Sequence, residues 1–289
     1  MLRNATAPIA MPTYEGSGQC VHPEVIPGEE TPFDAKYVMV MEPYPFAQAE
    51  FENPSIVVSD DGVSWNVPSG IINPVVPPKI GGGWHSDATL LARPNRPLHL
   101  YYRYNSGAGS TGLLLRTTED GCHWSIEEQL LCFPVSKRFA SPTLISRGSE
   151  TCLIFVDTLT QTVEMLIGND GRTWTSALTL LCFPRAWHAS ARFVDGVLHL
   201  LITDQWNLYL LRWVRDELWE IRDGATWLAF TITLGHVPAF LKPSPGGWDA
   251  AMIYHGSFVE EGGYLNLWYS AKAQSGAWGI GYTHGQLGQ

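Results

Sequence analysis

The residues best equipped for chemistry are carboxylates and imidazoles set in short apolar segments beside aromatic rings. Glu24 in VHPEV, Glu52 in FENP and Asp87 in WHSDATL are the carboxylates. Paired across a cleft, one carboxyl of raised pKa protonates a leaving group while an ionised partner activates water or attacks. The expected pair is Asp87 and Glu24, with Glu52 next in line and Arg103 or His85 positioning substrate. Glu52 also has a plainer role open to it, fixing the turn at ENP. His22, His85, His188 and His236 fall in four different segments, and imidazoles converging from separate strands can hold zinc, iron or another transition metal. No cofactor is certain from this pattern; an axial metal ion is left open.

Such residues act together only if distant segments reach one place, and an internal repeat supplies the means. SDDGVSW ends at Trp65, TEDGCHW at Trp124, GNDGRTW at Trp174 and IRDGATW at Trp227, about 50 to 59 residues apart, with a degenerate SAKAQSGAW ending at Trp278. In each D-G-x-x-W cluster the aspartate (Asp61, Asp120, Asp170, Asp223) can accept backbone N–H bonds and the following glycine can take a positive φ. The tryptophan then has a large ring to bury between units. Apolar runs such as LHLYYRY, TCLIFVD and VLHLLITD, bounded by Gly and Pro, read as strands, and so does WNLYLLRWVRDELWEI despite its length. Four strands in each of five units make an all-β, five-bladed β-propeller of antiparallel blades. The expected division is an arm or closing strand over 1–19 and a single propeller over 20–289, with blades at about 20–78, 79–134, 135–184, 185–234 and 235–289.

In that topology the starts of first strands and the ends of second strands share one face around the axis, opposite the Asp turns. This face collects His22, Glu24, His85, Asp87, Arg138, His188 and His236 from strand starts, and Glu42, Arg103, Asp157, Asp204 and His255 from strand ends. Trp84, Tyr102, Tyr104, Trp187, Trp206 and Tyr254 lie among them. From this rim His85, Arg103, Trp84, Tyr102, Asp157, Trp187, Asp204 and His255 are the expected substrate-binding residues, since aromatic rings stack on the apolar faces of sugars.

Composition narrows the partners. Charged residues are 16% of the chain and acidic ones outnumber basic ones 28 to 18, which excludes a disordered tail, a coiled coil and a basic nucleic-acid footprint. No apolar run is long enough to insert in a membrane, and the first residues lack the pattern of a signal peptide, so a soluble cytoplasmic or virion-associated protein is expected. The five cysteines contain no CxxC pair and are expected to be mostly small buried hydrophobes.

The D-G-x-x-W turns resemble the Asp-box of sialidases, with one residue fewer between Asp and Gly. With five units and the SDDGVSW spelling, the chain resembles more closely the five-bladed glycoside hydrolases of the arabinanase, xylosidase and invertase type, over about Cys20 to His284. AEFENPSIVVSDDGVSW is also similar to propeller proteins of bacteria and phages. The hydrolase resemblance implies acidic residues on the first strands, for which Glu24 and Asp87 stand at matching positions, whereas the third unit reads FASPTL without a carboxylate. Two functions follow as expectations: a glycoside hydrolase-like protein acting on polysaccharide, or a non-catalytic propeller that binds glycan or receptor, such as a phage tail component assembled with other subunits.

Overall fold

The computed structural model describes residues 2–215, 218–221, 226–228 and 239–286. Strands dominate, in five antiparallel sheets that follow one another along the chain. The first sheet holds β1 (Cys20–Pro27), β2 (Tyr37–Pro43) and β3 (Ser55–Ser59). The second holds β4 (Trp84–Leu91), β5 (Leu98–Asn105), β6 (Thr111–Thr118) and β7 (Glu128–Phe133). In the third are β8 (Phe139–Arg147), β9 (Glu150–Asp157), β10 (Thr162–Gly168) and β11 (Ser176–Cys182). The fourth contains β12 (His188–Val194), β13 (Val197–Thr203), β14 (Leu208–Arg215), β15 (Leu218–Ile221) and β16 (Thr226–Leu228). The fifth is β17 (Met252–Glu261), β18 (Tyr264–Lys272) and β19 (Trp278–Gln286). Only the second and third sheets have the expected four strands; among the described residues the others have three, five and three.

The first strands of the sheets touch in a closed circuit, β1 on β4, β4 on β8, β8 on β12, β12 on β17 and β17 on β1. Nearly every residue of β1, β4 and β8 is buried, as strands enclosed on both faces must be. Apolar side chains of neighbouring sheets fill the spaces between them; Val40, Val76, Leu90 and Leu100 do so between the first and second sheets.

The turns behave as their residue types require. Asp61 Oδ1 accepts from the N–H groups of Val63 and Ser64, Asp120 Oδ1 from Cys122 and His123, and Asp170 Oδ1 from Arg172 and Thr173. Gly62, Gly121 and Gly171 sit at φ +77°, +79° and +73°. Asp223 and Gly224 lie outside the described residues. Trp65 is buried against Trp268 of the last sheet, while Trp124 and Trp174 are half-buried against the cores of their sheets. Of the cysteines only Cys20 and Cys152 are buried, because Cys122 and Cys132 fall in an exposed turn and on the outer strand β7.

The arm before Cys20 lies along the last sheet. Ile9 N–H donates to Ile280 O at 2.7 Å, the Thr283 hydroxyl donates to Arg3 O at 2.6 Å, and the Trp248 indole donates to Ala5 O at 2.9 Å. Farther along, the Tyr14 hydroxyl donates to Phe51 O, so the arm also ties down the segment that carries Glu52.

Candidate functional site

The first strands carry matching irregularities near their starts. Pairing registers shift between Val21 and Glu24 in β1, Ser86 and Thr89 in β4, and Ala140 and Thr143 in β8. Within these bulges His22, Asp87 and Ser141 stand at φ +49°, +50° and +52°. A left-handed backbone at three non-glycine residues is strain that the surrounding packing must hold, and such strain gathers at functional sites. It aims His22 and Asp87 at one another: His22 Nε2 is 3.1 Å from Asp87 Oδ1.

His188, the first residue of β12, and His255, near the start of β17, complete the group. Ring centroids are 4.8 Å apart for His22 and His188, 5.7 Å for His22 and His255, and 5.5 Å for His188 and His255. Tyr254 packs on His22 and His188 at 5.2 and 4.5 Å.

Glu42 organises this centre from below. Its Oε2 lies 3.0 Å from His22 Nδ1 and its Oε1 accepts the N–H of Ala88, the residue after Asp87. Asp87 Oδ2 accepts the Ser141 N–H at 2.8 Å and lies 3.1 Å from Arg103 Nε, which also reaches the Ser86 hydroxyl. Glu52 Oε1 is 3.5 Å from His22 Nδ1.

Burial would strip charge from each of these groups, and their mutual fields decide which keep it. Burial works against the His22 imidazolium, but Asp87, Glu42 and Glu52 outweigh it and raise His22 to about 9. Burial also opposes the Asp87 carboxylate, and Arg103, His22 and His188 overcome that, holding it well below the usual carboxylate range. Glu52 goes the other way: burial, reinforced by Asp87 and Glu42, pushes it up to about 8 despite His22 and Arg103. Glu42 is likewise raised by burial. Burial drives His188 well below its ordinary value, with His22 adding to the effect, and takes His255 down to about 3.

Ligand atoms of His22, Asp87 and His188 lie within 4.8 Å of one another. The chemistry left over is specific. His22 Nε2, Asp87 Oδ1, both nitrogens of His188 and Nδ1 of His255 are buried and have no hydrogen-bond partner. With Nδ1–H donated to Glu42, His22 Nε2 presents a lone pair to the Asp87 carboxylate, and the two repel unless a proton or a cation lies between them. Two imidazoles and a carboxylate are a donor set suited to a first-row divalent metal. The residues present therefore fit such an ion. Glu42 supplies the outer hydrogen bond that metal-ligating histidines require. In protein loaded with such an ion, Glu42→Gln should keep the Ala88 bond and weaken metal retention by roughly 10- to 100-fold, measured by competition with a chelator.

Several expected residues lie elsewhere. The Asp87–Glu24 pair does not form: the bulge at His22 breaks strand alternation and commits buried Glu24 to the Ser190 hydroxyl and to Arg192. His85, two residues before Asp87, turns to Asn53 Oδ1 at 3.3 Å and packs on Tyr102; burial lowers it to about 4. His236 lies outside the described residues. The innermost strand of the last sheet is β17, so it is His255 that lies with the other imidazoles from this sheet. Asp157 and Asp204 are buried and fix turns, Asp157 through Arg138 N–H and Leu159 N–H, Asp204 through Trp206 N–H and Asn207 N–H. Tyr102 is buried and donates to Glu127. Trp84 and Trp187 are half-buried, and the ring of Trp187 is 6.1 Å from that of His188.

Sequence reasoning placed Glu42 and Tyr254 on the rim without giving them a role, and it missed Ser141 and Tyr44. Ser141-Pro142 occupies in FASPTL the place that His22-Pro23 has in CVHPEV, which is a readable signal. Tyr44 packs beside Trp278, and burial, with Glu52 adding, raises its phenol to about 12, leaving a neutral O–H donor.

No family model matches the chain. An A type blood N-acetyl-α-D-galactosamine deacetylase of Flavonifractor plautii is 25% identical over 316 residues, covering 88% of this chain. The chain spans only 40% of that protein's length. The crystal structure of an N-acetylgalactosamine deacetylase from F. plautii, in complex with blood group B trisaccharide, superposes with a TM-score of 0.80 over 99% of this chain and 96% of that one, at 20% identity. An exo-1,5-α-L-arabinanase from a bovine ruminal metagenomic library superposes with a TM-score of 0.62 over 92% of both chains, at 12% identity. The fold is thus a β-propeller, similar to those of the arabinanase and the F. plautii deacetylase. Among the described residues no helix is long and apolar enough to cross a membrane.

Proposed function

We propose that this chain is a carbohydrate-active, five-bladed propeller whose axial centre hydrolyses the acetamide of an N-acetylated sugar with the help of a divalent metal. The five sheets read as blades of one domain over 20–289, closed by the arm over 1–19, with Asp-box-like turns on the far face. The observation that carries the activity is the buried His22, Asp87 and His188 cluster with its unpartnered ligand atoms. Likeness to a sugar deacetylase adds support for the bond attacked.

In hydrolysis, water oxygen adds to the amide carbonyl carbon, the C–N bond breaks, and the amine nitrogen takes a proton as acetate leaves. A metal held by His22, Asp87 and His188 would polarise the carbonyl and acidify the attacking water. The chain's own residues do the rest. Glu52, buried 3.5 Å from His22, is the carboxylate placed to take the water proton and return one to the leaving nitrogen. Glu42 orients His22, Arg103 orients Asp87, and the Tyr44 hydroxyl is available to donate to the acyl oxygen.

One observation favours a second reading. A carboxyl raised at Glu52 beside one lowered at Asp87 is the division of labour used in glycoside hydrolysis. Parallel assays of acetate and of reducing ends from N-acetylhexosamine oligosaccharides separate the two. Acetate release that stops with chelator and returns with added zinc, manganese or cobalt is the expected result. Reducing ends without acetate would replace it with the glycosidase, and glycan binding without either product would leave a recognition propeller.

A further inference from the structure

We propose that Trp206 and Arg185 form a second sugar subsite beside the axial centre, so that the substrate is an oligosaccharide or polymer in which a further hexopyranose flanks the reacting unit. This rests on the sugar-directed reading of the centre given above. Trp206 is 43% exposed, whereas every other tryptophan whose side chain is described is buried or half-buried. Its ring is held in place. Asp204, fully buried, accepts the Trp206 N–H at 3.1 Å and the Asn207 N–H at 2.8 Å, and also lies 3.3 Å from Arg185 Nη2. The Arg185 guanidinium lies over the Trp206 ring at 5.1 Å. The indole is therefore fixed by its backbone and by a cation, and still keeps nearly half its surface in solvent.

Backbone strain marks the same edge. Gln205 and Arg185, the residues that set the direction of this pair, stand at φ +80° and +63°.

Connections to the centre are short. Trp206 O accepts the N–H of Ile253, next to Tyr254, and the Thr203 hydroxyl donates to Tyr254 O. Trp187, between Arg185 and His188 in sequence, donates its own backbone N–H to Thr203 O. The exposed indole and the imidazoles of His188 and His255 thus share one end of the fourth and fifth sheets. A partly exposed indole with a guanidinium over its ring offers apolar surface and N–H donors side by side, which matches the chemistry of a pyranose, whose axial C–H face stacks on an aromatic ring while its hydroxyls accept from the cation.

The test is calorimetric binding in a Glu52→Gln background, which stops turnover, with methyl N-acetylgalactosaminide and with a trisaccharide ending in N-acetylgalactosamine as probes. The trisaccharide should bind the parent more tightly than the monosaccharide. Adding Trp206→Ala should weaken the trisaccharide by roughly fivefold or more and leave the monosaccharide within twofold, with Trp206→Phe in between. Equal trisaccharide binding with and without Trp206, or no preference of the parent for the longer sugar, would overturn the subsite while leaving the centre intact. Failure of the parent to bind either sugar would remove the sugar reading of the centre, and the subsite with it.

Discussion

On the proposed reading of the axial centre, Asp87→Asn should abolish acetate release, lowering kcat/KM by at least about 10³-fold, and the purified variant should carry no stoichiometric metal. The magnitude follows from the hierarchy of contacts around such ions. Loss of an outer hydrogen bond to a metal-ligating group typically costs 10- to 100-fold, and Asp87 is the one carboxylate of the His22, Asp87 and His188 cluster proposed to hold the metal, so its neutralisation should cost more. The fold should survive. Removing one partner of a buried ion pair costs about 3–5 kcal/mol in isolation, but here the change also relieves repulsion from Glu42 and Glu52, and Arg103 keeps the Ser86 hydroxyl and Phe139 O. The asparagine carbonyl can still accept the Ser141 N–H. A net loss of under about 2 kcal/mol is expected, a change of only a few degrees in Tm. Glu52→Gln gives the internal control, since it should lose turnover and keep its metal. An Asp87→Asn protein that retains metal and works within tenfold of wild type would show that the reacting centre lies elsewhere.

The architecture could be read in the chain because its signals are local. A hairpin turn needs an acceptor and a positive φ within three residues, so Asp61-Gly62 and its repeats carry their own meaning, and the tryptophans that follow give the spacing of the sheets. The rim was legible to the same depth, and His22, Asp87, Glu52, Arg103, His188 and His255 do meet on it. Which rim side chains face one another was not legible, because one extra residue in a strand reverses the side chains beyond it. The bulges at His22 and Asp87 turn Glu24 to Arg192 and His85 to Asn53, and leave Glu42, opposite Val21 on the neighbouring strand β2, bonded to His22. Of the three, only His22 and Ser141 are followed by a proline that hints at a bulge, and Asp87 carries no such mark; neighbouring sheets supply bonds that hold these positions, as Asp87 does for the Ser141 N–H. The fifth sheet shows the other limit. Contact with β1 and β12, which pattern alone does not give, makes β17 its inner strand.

The largest effect on stability should come from Trp268→Ala, at the seam where the last sheet meets the first. Trp268 is completely buried, and its indole N–H donates to Gly62 O at 2.7 Å, a carbonyl that also accepts from Trp65 at 3.1 Å. Its ring meets Tyr37 and Trp65 edge-on at 5.2 and 6.1 Å and Tyr282 at 5.3 Å, joining β18, β2, β19 and the Asp61 turn. The fit is close, for a Cβ added to Gly62 would stand 2.9 Å from the Trp268 ring. Truncation leaves a cavity that a ring of sheets cannot close without shifting the seam, so a loss of about 3–5 kcal/mol is expected. For a chain of this size that lowers Tm by about 5–8 °C. The Gly62 carbonyl remains bonded to Trp65, so the deficit is packing and not an orphaned acceptor. Trp206→Ala removes the same side chain from an exposed turn, where the cost should stay within about 0.5 kcal/mol. Calorimetric melting of the two variants side by side decides the matter. A Trp268→Ala protein that melts no lower than Trp206→Ala would mean that the indole does not bind the first sheet to the last, and that the arm along β19 holds the ring closed by itself.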